Sequence, residues 1–172
     1  MNTVLKFGEI VKRARLDADR THYILKRLAG MPKAGSQGVH RIFTLRQALR
    51  LAICTHLISA GATLSRANSL VAYCEKRARE VDSQHEISQK GFQYLAPGGL
   101  HWFLDILDGR FAKCWRSPLS DMSGQPIRIE FATREFYFDI ENDNIVNQIE
   151  DPIMVQRIDL TSLETCLAKG ND

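Results

Sequence analysis

The chain has 172 residues, 44% apolar and 25% charged, with a formal charge of +3, which suits one domain or two small ones built around a hydrophobic core. No run approaches the roughly 20 apolar residues of a membrane-spanning helix, and the N-terminal stretch lacks the apolar segment and small-residue cleavage site of a secretory signal, so an intracellular location is expected. The charge is unevenly placed. Residues 1–80 hold 15 Lys/Arg and 5 Asp/Glu (+10), and residues 81–172 hold 8 and 15 (−7), a pattern expected of a polyanion-binding half joined to an acidic one.

In KFGEIVKRARL (6–16), Phe7, Ile10, Val11 and Ala14 recur at helical spacing, with Lys12, Arg13 and Arg15 opposite. The polar turn Asp17-Ala18-Asp19 supplies N-cap residues for a second helix carrying Ile24, Leu25 and Leu28 and stopping at Gly30. Two short helices across a tight turn read as a helix-turn-helix. PKAGSQG (32–38) is too rich in Pro and Gly for regular structure, and VHRIF (39–43) is β-prone. A basic loop pinned by a short strand pair forms a wing.

Thr44 and Gln47 have capping-box spacing and open a helix whose stripe runs from Leu45 through Ala48, Leu49, Ala52, Ile53, His56 and Leu57 to Ala60, ending on Gly61. His56 lies on that stripe and reads as a core histidine. A fourth helix, from about Thr63 to residue 82, carries Leu64, Ala67, Leu70, Val71, Cys74, Ala78 and Val81 on one face. A helix of that length is expected to pair with a partner subunit. Polar residues 83–91 read as a linker. Beyond it, LHWFLDIL (100–107) is expected to be a short apolar helix, and RFAKCWR, IRIEF, REFYFDI and IMVQRIDL are expected strands. LTSLETCLA reads as a closing helix, and the acidic residues of this half as solvated surface.

The order helix, turn, helix, basic loop, G-x-x-R-aromatic strand, capped helix, glycine and helix resembles the MerR-like winged helix-turn-helix family and its excisionase-like relatives. The resemblance covers about residues 6–75. It rests on FGEIVKRARL, RTHYILKRLAGM, GVHRIF and TLRQALRLAICTHLISAGATLSRANSLV, with Gly61-Ala62-Thr63-Leu64 its most specific piece. Two departures stand out: Ile24-Leu25-Lys26 replaces the family's Arg-Tyr-Tyr run, and Arg41 lies one residue further from Gly38 than the family's wing arginine. The resemblance implies that residues 1–82 are a winged helix-turn-helix DNA-binding domain with an extended fourth helix. With the strand pattern of the second half the expected fold is α+β, residues 92–172 forming a small acidic domain of antiparallel strands for oligomerisation, effector or partner binding.

A recognition helix needs short polar and basic residues on its exposed face. Arg20, Thr21, His22, Tyr23, Lys26 and Arg27 fit that need: Thr21, His22 and Tyr23 as base contacts, Lys26 and Arg27 on phosphates. Lys33, Ser36, Gln37, His40 and Arg41 would follow the wing into the backbone or minor groove. Arg46 and Arg50 are more simply read as a solvated face of the third helix.

The cysteines at 54, 74, 114 and 166 and the five histidines are scattered without metal spacing and read as buried thiols and isolated imidazoles. No phosphate-cradling glycine loop, GxSxG or HExxH is present. The expectation is therefore a non-enzymatic, cofactor-free, cytoplasmic and nucleoid-associated regulator that binds double-stranded DNA as a homodimer. An excisionase-like DNA-bending factor is one alternative, and an adaptor or antitoxin-like partner without DNA binding is another.

Overall fold

In a computed structural model, residues 4–33, 41–82, 94, 99–118, 137–150 and 152–169 are described. The elements, in order, are β1 (Val4–Lys6), α1 (Phe7–Arg13), α2 (Ala18–Leu25), β2 (Ile42–Thr44), α3 (Leu45–Ser59), α4 (Leu64–Asp82), β3 (Leu100–Leu107), β4 (Phe111–Pro118), β5 (Tyr137–Asp139), β6 (Asn144–Val146), β7 (Val155–Asp159) and α5 (Leu160–Ala168). The fold is mixed α+β with a five-stranded antiparallel sheet in the order β6-β5-β4-β3-β7.

Local chemistry sets the helix ends. α1 stops three residues before the expected end because Arg15 takes a left-handed φ of 53° and Leu16 N–H closes on Val11 C=O at 2.9 Å, a helix-terminating turn. Asp17 caps α2 by accepting from Arg20 N–H at 2.7 Å. α2 ends at Leu25, short of Gly30, where Arg27 N–H reaches only back to Ile24 C=O. The capping box on α3 is formed in both directions, Gln47 N–H to Thr44 Oγ1 at 3.2 Å and Thr44 N–H to Gln47 Oε1 at 3.0 Å. Such a cap contributes about 1 kcal/mol. Gln47 also donates to Gly30 C=O at 3.1 Å, tying the start of α3 to the exit of α2. Gly61 ends α3 at φ +100°, where an L side chain would be strained.

β2 does form from the β-prone stretch, but its partner is the N-terminal β1, with Leu5 facing Phe43 across an antiparallel ladder. Leu5 and Phe43 point inward, while Val4 and Ile42 are exposed. Residues 34–40, including Gln37 and His40, and residues 83–93 lie outside the described set, as does the expected strand IRIEF.

Residues 100–107 form a strand instead of the expected helix. Its alternation is hidden because Trp102, Leu104 and Ile106 join the main core while Phe103, Asp105 and Leu107 are buried as well, and a strand covered on both sides reads as one apolar run. It turns into β4 through Asp108 and Gly109, both at positive φ (50° and 68°), with Arg110 N–H donating to Leu107 C=O at 3.0 Å.

Packing joins the two halves. Leu5, Ile10, Phe43, Leu49 and Leu57 belong to the same buried cluster as Trp102, Leu104, Phe138, Leu160 and Leu167. α5 lies between α3 and β3 and also touches α1. The apolar stripe of α4 is covered from within the chain: Leu70, Val71, Cys74 and Ala78 are buried, and Tyr73 stacks on Phe138 at 4.9 Å.

The acidic half is not simply a solvated surface. Asp105 is fully buried, accepting from Arg157 Nε at 2.6 Å, Arg157 Nη2 at 3.0 Å and Trp115 Nε1 at 2.5 Å. Asp139 is also buried. Desolvation pushes its carboxyl up, yet donors from Asn142, the Glu141 and Asn142 backbone and Arg110 outweigh that and hold it below the usual range. Glu164, buried too, accepts Tyr94 N–H at 2.6 Å. Three of the four cysteines are buried, and Cys166 is exposed.

Candidate nucleic-acid interface

The cations of the first 80 residues divide into two groups. On α3 and α4 they are mostly paired within the chain: Arg46 with Glu75 at 2.6 Å, Arg77 with Glu80 at 3.0 Å, Lys76 with Glu80 at 3.9 Å and Arg66 with Glu141 at 3.7 Å. Arg50 donates to Asn68 at 3.0 Å. These contacts tie both side chains to α4, although Arg46 keeps the exposure that a solvated face implies. Lys6, Lys12, Arg15, Arg20, Lys26, Arg27, Lys33 and Arg41, in contrast, have no carboxylate in ion-pair range among the described residues. All but Arg41 are exposed. Arg13 is the exception on α1, bonded to Glu9 at 3.0 Å and to Leu167 C=O at 2.8 Å.

On α2 the side chains are not equivalent. Thr21 is fully buried and its hydroxyl donates to Asp17 C=O, so it is a structural residue, not a base contact. Its spacing carries the signal: Thr21 stands three, four and seven residues before Ile24, Leu25 and Leu28, on the buried stripe. His22 is exposed, with its ring 5.8 Å from that of Phe7. Tyr23 is 58% exposed, and the Arg27 guanidinium lies 3.6 Å over its ring while donating to Tyr23 C=O at 3.2 Å. The stack holds a flat cationic surface at the C-terminal end of α2. Arg20 leans on Ser59 Oγ at 3.0 Å. Lys26 and Lys33 are exposed, and Arg41 stands half-buried just before β2.

The helix pair α1 and α2 is backed by α3. His56 on α3 is half-buried beside the Ala14 backbone, and burial lowers its pKa below the ordinary 6.5 despite that polar neighbour.

Comparison with protein-family models, curated proteins and solved structures finds no match. The chemistry of the side chains therefore carries the functional argument.

One other cluster resembles catalytic machinery. His101 Nδ1 lies 2.9 Å from Asp159 Oδ2, and Ser162 Oγ donates to the same oxygen at 2.7 Å. An activated serine needs the imidazole between itself and the acid. Here hydroxyl and imidazole share one carboxylate, which also accepts Ser162 N–H at 2.9 Å as the N-cap of α5. The geometry is that of a helix cap. Among the described residues no group of three or more His, Cys, Asp or Glu is placed to hold a metal ion, and no described helix is long and apolar enough to cross a membrane.

Proposed function

We propose that the chain binds double-stranded DNA sequence-specifically as a dimeric transcriptional regulator of the MerR-like winged helix-turn-helix type, with α2 as its recognition helix. The observation that carries this reading is the partition of cations: those on residues 4–33 and 41, Arg13 excepted, lack carboxylate partners among the described residues, while most of those on α3 and α4 have them. An unneutralised cationic surface around a capped helix is the footprint of a phosphate backbone.

In this reading His22 and Tyr23 meet base edges, Arg20, Lys26 and Arg27 meet phosphates, and Lys33 and Arg41 flank the wing together with Gln37 and His40. The two copies meet through a surface other than the apolar stripe of α4, since that stripe is covered inside each chain. The test is a fluorescence-anisotropy titration against duplex DNA flanking the protein's own gene and against random duplex. Neutralising about 5 phosphates gives a log–log salt slope of roughly −4 to −5. Absence of duplex binding at about 50 mM salt overturns the reading.

A further inference from the structure

β7 ends the sheet order and pairs with β3 on one side only. We infer that its open edge is where two copies of this chain join, β7 running antiparallel to β7 of the other copy so that the two sheets become one. This names the dimer surface that the DNA-binding reading leaves open, and it rests on that reading only for the role of the dimer. The ladder sets the direction of the backbone groups. Asp108 N–H donates to Met154 C=O at 2.9 Å, so Met154 bonds toward β3. Bonding alternates along an antiparallel pair, so Gln156 and Ile158, opposite Ile106 and Leu104, also turn toward β3. Val155 and Arg157 then turn their N–H and C=O outward, and among the described residues nothing bonds those groups.

The same edge carries an unshielded apolar run: Ile153 is 98% exposed, Met154 51% and Val155 40%. Native sheets guard an open edge with lysine, proline, a bulge or a projecting charge. Residues 153–159 contain neither Lys nor Pro, and their charges, Arg157 and Asp159, are engaged within the chain. The Arg157 guanidinium is held by Asp105 at 2.6 Å, and the Asp159 carboxylate caps α5 and meets His101. An edge this bare is a template for another strand.

A second copy fits because the segment is complementary to itself, as a two-fold interface requires. With Gln156 on the axis, residues 153–159 pair end to end with the same residues of the other copy. Val155 and Arg157 of opposite copies then exchange the outward backbone bonds, and Met154 lies against Ile158. No like charges stand opposite each other, since Arg157 faces Val155 and Asp159 faces Ile153. Centring the pair on Arg157 instead would set that residue against itself, a destabilising arrangement.

A strand seam lies at the low end of protein interfaces, under about 1,200 Å², so a dissociation constant of roughly 1–100 μM is expected. Sedimentation of the full chain without DNA, from about 1 to 500 μM, measures it. Val155→Lys sets a lysine opposite Arg157, and Val155→Pro removes an outward N–H that no bond within the chain uses. Each is expected to weaken dimerisation about ten-fold or more while the thermal melt stays near that of wild type. Gln156→Cys in a Cys166→Ser background is expected to form an intermolecular disulfide under mild oxidation, because the axis sets its two Cα atoms about 4.5 Å apart. That variant keeps the test valid if both Val155 variants fail to fold. A chain still monomeric at about 500 μM, Val155 variants that dimerise like wild type, or a dimeric Gln156→Cys protein that does not crosslink would each overturn the inference. Duplex binding is measured separately. A monomer that binds DNA sinks this inference alone, and a β7-linked dimer that does not bind DNA sinks the DNA reading alone.

Discussion

Lys26→Ala and Arg46→Ala remove the same formal charge from neighbouring helices and should have opposite consequences. Lys26 is exposed and without a carboxylate partner among the described residues, whereas Arg46 is held 2.6 Å from Glu75, whose side chain is 10% exposed. If Lys26 neutralises one phosphate, its loss reduces the magnitude of the log–log salt slope by about 0.9. Referred to 1 M salt, that term weakens duplex binding about 8-fold at 0.1 M and about 3-fold at 0.3 M, equally on cognate and random DNA. Arg46→Ala leaves the slope unchanged, strands a nearly buried carboxylate and lowers folding stability by about 1–2 kcal/mol. Anisotropy titrations from 50 to 300 mM salt, paired with urea denaturation of each variant, measure both quantities. The partition of cations into paired and unpaired sets is wrong if Lys26→Ala keeps the wild-type slope, or if Arg46→Ala flattens it by as much.

Three further outcomes follow from the buried polar groups. Arg157→Ala leaves Asp105 charged and buried beside a lone indole donor and should cost about 3–5 kcal/mol, much of it recovered by the double change Asp105→Leu with Arg157→Met; chemical denaturation reads both. His56 has a folded pKa below its ordinary 6.5, so the unfolded chain binds a proton first. Stability should then fall as pH drops below 6.5, by at most about 1.4 kcal/mol per pH unit, and His56→Leu should flatten that limb of a thermal-melt pH series. Burial pushes the Cys54 thiol to about 12 and the Cys74 thiol well above its ordinary range. A thiol reagent should therefore titrate Cys166 in the native protein, and all four cysteines only in denaturant.

What the sequence discloses depends on how many sides of an element are buried. α2, α4 and α5 each bury one stripe, so the 3.6-residue period shows in the residue order together with the Asp17 cap, whereas α3 buries Leu51 through Thr55 without a break and is marked by its caps at Thr44 and Gly61. β3 buries both of its sides, and with that its period disappears. β1 is three residues long, too short for any period, and its pairing with β2 depends on a partner some forty residues away. The same reasoning applies at the interface. Basic residues without acids are visible as composition, and Thr21 stands on the stripe of Ile24, Leu25 and Leu28, but the capture of Arg46 by Glu75 is a tertiary fact. Asp105, a charge in the middle of an apolar run, is the one local sign that something across the sheet has to answer it.

The fastening of α1 to α5 bears on protein engineering. Arg13 reaches across to the Leu167 carbonyl, and Leu167 and Leu160 belong to the buried core that also holds α3. A hybrid made by grafting the first 82 residues onto a foreign C-terminal part would lose the floor on which its helix pair rests. Interchangeable modules in this architecture must carry β3 and α5 with them, and a C-terminal truncation that removes α5 should loosen the helix pair at the opposite terminus.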